Sequence, residues 1–379
     1  MYVSPWPGLG ARELLPWQSG RTLPYPLNNP NRLAFCVARS GIYHLFRALE
    51  LKPNDVVLVP DYHSGNEVAA IRAAGATITF YPVRRNLEPD LEELSRLARR
   101  LRPRVIYVIH YLGWPQPLND IQALCQEQGS ILIEDCALSL LSAIDRGPLG
   151  AFGDYSIFCL YKTLPVPNGG LLVQNHNALR QLDGLKLERC PGLSTLGRTA
   201  ELALETIRSR ADRIGKALFV LKQSVGSALR RGGARSVPVG DIGWDIANVK
   251  IGMSAISDTV VKGLDYFQIR KKRRENYLFL LGRLRSRVKM LREDLDEGVC
   301  PLFFPILVED KHAAAKALWA KDIGAVEFWN DKLNYAIGPE AEFLRAHVLE
   351  LPIHQGVSSY QAEYICDQVL RLNLRPAVC

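Results

Sequence analysis

From about residue 32 to residue 175 the chain alternates short aliphatic runs with stretches of helical spacing. That rhythm constrains the fold more than any other feature. The strand-like runs are Asp55–Pro60 (DVVLVP), Thr77–Tyr81, Arg104–His110 (RVIYVIH), Ser130–Asp135 (SILIED) and Tyr155–Leu160. Between them, Ser40–Leu51, Glu67–Ala74, Leu91–Leu101 and Ile121–Gln128 place apolar residues three or four apart, and Gly75 and Gly129 follow two of these stretches. Uninterrupted apolar strands separated by helices belong to a parallel sheet covered on both faces. The expected class is α/β, with ligands held at the carboxyl ends of the strands.

Outside that region the pattern changes. Residues 1–31 are rich in Pro and Asn and read as an extended arm. Ala200–Leu229 reads as a basic helix or helical hairpin, carrying Arg208, Arg210, Arg213, Lys216, Lys222, Arg230 and Arg231 on or beside it, and Gly232-Gly233 ends it. A second α/β segment follows, with a long helix over Val260–Leu284, a strand at Phe303–Val308, a helix at Ala313–Ile323 and a final helix at Ser359–Arg371. The expected division is an arm (1–31), a large domain (32–254) with a basic insertion at about 198–235, and a small C-terminal domain (255–379).

Several function classes find no support. There is no G-x-G-x-x-G after a strand, no G-x-x-x-x-G-K-[ST] and no G-x-S-x-G, which argues against dinucleotide, P-loop and elbow-type hydrolase chemistry. No stretch approaches the ~18 apolar residues of a membrane span, and Met1–Gly20 has no apolar signal core. The net charge of +8 suits phosphate-bearing ligands, but no aromatic RNA-type motif accompanies the basic residues, so nucleic acid is not expected. The eight cysteines are scattered, without zinc spacing. They read as reduced thiols in a cytoplasmic protein, with no metal site.

Three features remain. Glu134-Asp135 closes a buried strand, where a carboxylate pair can serve as a cap, a turn, a metal ligand or a charge partner. Lys162 follows the strand-like run SIFCLY. Ser40-Gly41-Ile42 opens a helix, and a helix N-terminus offers free N–H groups and a positive dipole end to an anion. Each alone has an ordinary structural explanation. Pyridoxal phosphate would use all three: a lysine for covalent attachment, a carboxylate for the pyridinium nitrogen and an anion site for the phosphate.

With these residues in view, the sequence resembles the DegT-type sugar aminotransferases, a family of fold-type I pyridoxal-phosphate enzymes. The resemblance rests on five blocks in order: SGIYHLFRAL, VVLVPDYHSGNEVAAIRAAGATITFYPV, VIHYLGWPQPLNDIQALCQEQGSILIEDCA, GAFGDYSIFCLYKTLPVPNGGLLV and LPIHQGVSSYQAEYICDQV. It implies that Lys162 carries the cofactor and shuttles the proton, and that Asp135 pairs with the pyridinium nitrogen. It further implies that the backbone of Gly41 and Ile42 holds the phosphate. Tyr62 or His63 would cover the ring, although an ungapped match gives Ser64. Cys159 stands where the family often has a serine, and Lys250 falls near the residue that crosses the dimer to the phosphate. The implied activity is transfer of an amino group from an amino acid, glutamate in the family, to a nucleotide-linked keto sugar, by a homodimer.

Departures accompany the match. Ile42 replaces a hydroxyl residue, Leu138 replaces Gln or His three residues after the aspartate, and Asn168 stands where an acidic residue commonly precedes the two glycines. Two rival readings follow. One is another pyridoxal-phosphate reaction on the same scaffold, elimination or decarboxylation. The other is a non-catalytic scaffold touching a membrane surface through the basic helix at 200–231.

Overall fold

The computed structural model of the 379-residue chain describes residues 1–14, 22–211, 239–240, 243–330 and 333–377. Its centre is a seven-stranded sheet made of β1 (Arg32–Phe35), β2 (Val56–Pro60), β3 (Thr77–Tyr81), β4 (Val105–Ile109), β5 (Ile131–Asp135), β8 (Tyr155–Cys159) and β9 (Gly170–Gln174). A small hairpin, β6 (Ala143–Ile144) with β7 (Gly147–Pro148), stands apart from it. The strand order is β1-β9-β8-β5-β4-β2-β3. From β3 to β8 every pairing is parallel, while β9 and β1 join antiparallel. Every residue of β4 and β8 is buried. This is the expected α/β sheet, mostly parallel.

The order reverses at β2, which has β3 on one side and β4 on the other. In such sheets ligands bind outside the carboxyl ends of the strands at the reversal, here β2 and β4. Helices α1 (Ala38–Ala48), α2 (Asn66–Ala73), α3 (Leu91–Leu101) and α4 (Leu118–Gln128) connect the strands. α3 matches its expected span because both ends carry clear signals: Asp90 accepts from the Glu93 N–H at the start, and Arg102 takes a left-handed conformation at the end.

Several expected helices differ. α1 opens at Ala38, two residues before Ser40. The run Val260–Leu284 is two helices, Ala255–Gly263 and Tyr266–Leu284, because the Asp265 side chain accepts from the Gln268 N–H and starts a new helix. The helix expected from Ala200 begins at Gly192 as α7 (Gly192–Arg210), and the remainder of the basic stretch, from 212, lies outside the described residues.

The C-terminal part carries an antiparallel pair, β10 (Phe303–Leu307) with β11 (Val348–Pro352), all of it buried. The first residues of the chain are fixed to this part. Val3 pairs with Ile323, Gln361 Nε2 donates to the Tyr2 carbonyl at 2.9 Å, and the Trp6 ring meets Phe303 edge-on at 5.1 Å. Burying a large apolar side chain contributes roughly 1.5–3 kcal/mol, so this arm adds to the core it covers.

Candidate active site at the ends of the parallel strands

Strand alternation separates the two acidic residues of β5, since successive side chains point to opposite faces. Glu134 is fully buried and accepts N–H groups from Gly150, Phe152 and Gly153 and the Nε2–H of His110 at 2.9 Å. The His110 tautomer follows from Gln116, whose N–H donates to Nδ1. His110, Glu134 and Cys136 include metal-ligating types close together. The donors around Glu134 already use its lone pairs, so its role is to pin the turn after β7.

Asp135 faces the other way. Tyr107 donates to its Oδ2 at 2.5 Å and the Ala137 N–H donates to Oδ1 at 2.8 Å. Burial is the largest influence and raises its pKa above the usual carboxylate range, partly offset by these donors and by the charge of Lys162. A buried carboxylate with two donors and a nearby ammonium favours a further cationic partner.

Lys162 lies on a single helical turn (Leu160–Thr163) directly after β8, the sheet neighbour of β5. It is buried, and its Nζ stands 5.3 Å from the centre of the Phe328 ring. Two side chains from the C-terminal part hold this turn: Arg273 Nη2 and Gln355 Nε2 each donate to the Thr163 carbonyl at 3.0 Å. Cys159 is buried at the start of the turn.

The start of α1 lies against the strand that follows the lysine turn. A Cβ at Gly170 would fall 2.2 Å from the Ala38 nitrogen, so only glycine permits this approach. An α-helix leaves its first N–H groups without internal partners. With α1 opening at Ala38, the N–H groups of Gly41 and Ile42 enter the helical ladder, and that of Ser40 donates to the Val37 carbonyl at 3.2 Å. Ile42 is buried in the core.

The residues after β2 are packed by rings. Tyr62 lies 4.4 Å from Trp329 and 5.3 Å from Tyr111, centre to centre. His63 joins Phe80 and Tyr335 in a cluster of near-parallel rings. Burial, followed by the charges of Arg345 and Arg72, holds His63 down at about 3, so it is neutral. Ser64 is only partly buried and donates through its N–H and hydroxyl to Glu67. Lys250 is exposed on the outer side of α1, in a cavity of about 340 Å³ with Tyr43, His44 and Arg47.

Glu67 had not been singled out from the sequence. It is buried in the first turn of α2, and its pKa is raised first by burial and then by the charge of Asp135. The signal was present as S-x-x-E before a helix, the capping-box spacing. Tyr107, Arg273 and Gln355 had no comparable signal, because their partners are distant in sequence.

Residues 27–192 match a family model described as the DegT/DnrJ/EryC1/StrS aminotransferase family. The likeness to that family covers less than half of the chain. The matched segment contains Asp135 and Lys162, while Arg273 and Gln355 lie beyond it. Among curated relatives, the chain is 30% identical over 182 residues to dTDP-4-dehydro-2,3,6-trideoxy-D-glucose 4-aminotransferase of Saccharopolyspora spinosa, covering 45% of each. It is 29% identical over 135 residues to GDP-perosamine synthase of Vibrio cholerae, covering 35% of this chain and 36% of that one. The chain thus spans less than half the length of these relatives. The fold extends further: Helicobacter pylori PseC, an aminotransferase involved in the biosynthesis of pseudoaminic acid, superposes with a TM-score of 0.66 over 98% of both chains at 17% identity. The likeness of fold therefore extends across the C-terminal part, where sequence likeness fades.

Among the described residues, no helix is long and apolar enough to cross a membrane. The basic stretch proposed for a membrane surface is only partly described. Within it, Arg208 turns onto the protein, pairing with Asp322 at 3.5 Å and covering the Tyr2 ring at 3.6 Å.

Proposed function

We propose that this chain is a pyridoxal-phosphate-dependent aminotransferase that moves an amino group from glutamate to a nucleotide-linked keto sugar. The observation that carries this reading is the pairing of buried Asp135 and buried Lys162 on adjacent strand ends, close enough for the lysine's charge to act on the carboxylate. The residues fit the cofactor chemically. Asp135 offers a desolvated anion to a pyridinium, and the positive dipole end of α1 suits a phosphate. Lys162 is the amine for covalent attachment. When bound, the cofactor supplies an electron sink that stabilises charge at the substrate's α-carbon.

The remaining chemistry belongs to the chain. Tyr107 keeps Asp135 oriented and favours its ionised form. Arg273 and Gln355 hold the turn that carries Lys162, so its amine returns to one place when it takes and gives the proton. The Phe328 ring limits water around the amine. The same proposal includes a large domain to about residue 254, a smaller one after it, and a homodimer in which Lys250 serves the phosphate of a second copy. A cytoplasmic location is consistent with it.

The test is transfer of ¹⁵N from labelled glutamate to a panel of nucleotide-linked 3-keto and 4-keto sugars, read by mass spectrometry. Label in an amino sugar, absent with Lys162→Ala, supports the proposal. Consumption of substrate by elimination or loss of carbon dioxide, without label transfer, contradicts it.

A further inference from the structure

The fold brings two of the dispersed cysteines together at the head of α1. Cys36 is buried just after β1, and Cys190 is part-exposed just before α7. Their sulfurs are 3.9 Å apart. Two further groups face the Cys190 sulfur: Asn168 Nδ2 at 3.5 Å and Thr195 Oγ1 at 3.2 Å.

The neighbours of Asn168 fix its orientation. Its Oδ1 accepts from the Ser254 N–H at 2.9 Å and from the Ser257 hydroxyl at 3.1 Å. A backbone N–H can only donate, so the oxygen must face Ser254 and the NH₂ must face the sulfur. The Thr195 proton is divided between Cys190 and the Pro191 carbonyl at 3.1 Å. Donors aimed at a sulfur favour the thiolate. The pKa of Cys190 accordingly lies below the ordinary thiol value, chiefly through its contact with Cys36, while Cys36 is pushed up. Burial raises Cys125, Cys136, Cys300 and Cys366. The departure at Asn168 acquires a reason here: a carboxylate in its place would face the sulfur with like charge.

We propose that Cys190 is a reactive thiolate and a site of oxidative modification by peroxides, with Cys36 as its resolving thiol. The Cys190 thiolate attacks one oxygen of hydrogen peroxide, the O–O bond breaks, and hydroxide leaves a sulfenic acid on Cys190. Cys36 then attacks that sulfur, the S–O bond breaks, and water leaves a disulfide. Two thiols and one peroxide give one disulfide and two waters. The sulfurs must approach by about 2 Å to reach bonding distance. The consequence is local to the cofactor cradle. The Cys36 carbonyl already accepts from the Gly169 N–H at 2.8 Å, so a bond at Cys36 would tie the loop before α7 to the head of α1 and to the strand after Lys162.

The test uses the full-length, reduced protein. Iodoacetamide labelling is followed by peptide mass spectrometry from mildly acid to mildly alkaline pH, then one equivalent of hydrogen peroxide is added without alkylating agent. Cys190 should label before the other cysteines, with half-maximal rate below pH ~7, and Asn168→Asp should slow it about tenfold at neutral pH. Peroxide should give a Cys36–Cys190 linked peptide, and Cys36→Ser should leave a dimedone-reactive Cys190. Labelling of Cys190 with the pH dependence of free glutathione, or peroxide treatment without the linked peptide, overturns the proposal. Should either variant fail to fold, the wild-type pH profile and cross-link decide it alone.

Discussion

Arg273 reaches from the helix Tyr266–Leu284 to the lysine turn, where its Nη2 donates to the Thr163 carbonyl at 3.0 Å, one residue beyond Lys162. The guanidinium is fully buried, and its other donors meet Gln355 Oε1 and the carbonyls of Leu302 and Pro301. A desolvated cation held only by neutral acceptors is costly, and its pKa falls to about 10 through burial. The fold retains it where the two halves of the site meet.

Removing this cation leaves buried carbonyls without donors, at a cost of about 1–3 kcal/mol each. Arg273→Met should therefore lower unfolding free energy by about 2–3 kcal/mol. Gln355→Ala should cost nearer ~1 kcal/mol, since Arg273 still satisfies Thr163. Urea unfolding of the two variants checks the order. Equal stability of Arg273→Met and wild type would contradict the clamp.

Tyr107 carries a prediction about charge. Its hydroxyl favours the ionised form of Asp135 against burial. Tyr107→Phe should raise the Asp135 pKa further and weaken pyridoxal phosphate about tenfold near neutral pH, about 1.4 kcal/mol. The loss should shrink as pH rises and Asp135 ionises without help. Cofactor titrations at several pH values read this directly, and a pH-independent loss would argue against an electrostatic origin.

Gly170 is restricted by its neighbours, since an added Cβ would meet backbone atoms of Val37 and Ala38 closer than any real contact. Gly170→Ala should cost about 3 kcal/mol or more by forcing α1 and β9 apart. Gly184→Ala, with open space around the added carbon, should be near neutral. Thermal melts of both variants test this, and comparable behaviour would be inconsistent with the tight approach.

His354 links stability to pH. Its Nδ1 accepts from the Gly356 N–H and its Nε2–H donates to the Ser4 carbonyl, so the folded ring is neutral. Burial, then the charge of Arg273, lowers its pKa from 6.5 to about 3. A base with a depressed folded pKa lets the unfolded chain bind more protons between those values. Its contribution is therefore fully present above pH 6.5 and is lost as pH falls towards 3. Wild type should lose about 1.4 kcal/mol per pH unit relative to His354→Gln across that window. Parallel pH profiles of unfolding free energy would remove the assignment.

The sequence made the sheet legible because buried parallel strands are apolar throughout, and β3 and α3 match their expected spans. The placement of Asp135 and Lys162 at the ends of adjacent strands was legible because both follow apolar strand runs. The break at Asp265 was not, since aspartate within an apolar-periodic run looks like a solvent-facing position until its cap is seen. Glu67 hid as an ordinary helix-start residue. Arg273 and the Cys36–Cys190 pair depend on contacts across more than a hundred residues, which no local pattern encodes.

The role of Lys162 is tested most directly by where the cofactor attaches. Pyridoxal phosphate would be added to the purified protein, the visible absorbance recorded, the sample reduced with borohydride, and the modified peptide sequenced by mass spectrometry. A visible band bleached by glutamate is expected, with the reduced adduct on Lys162 and none in Lys162→Ala. An adduct on another lysine, or no band at saturating cofactor, would contradict it.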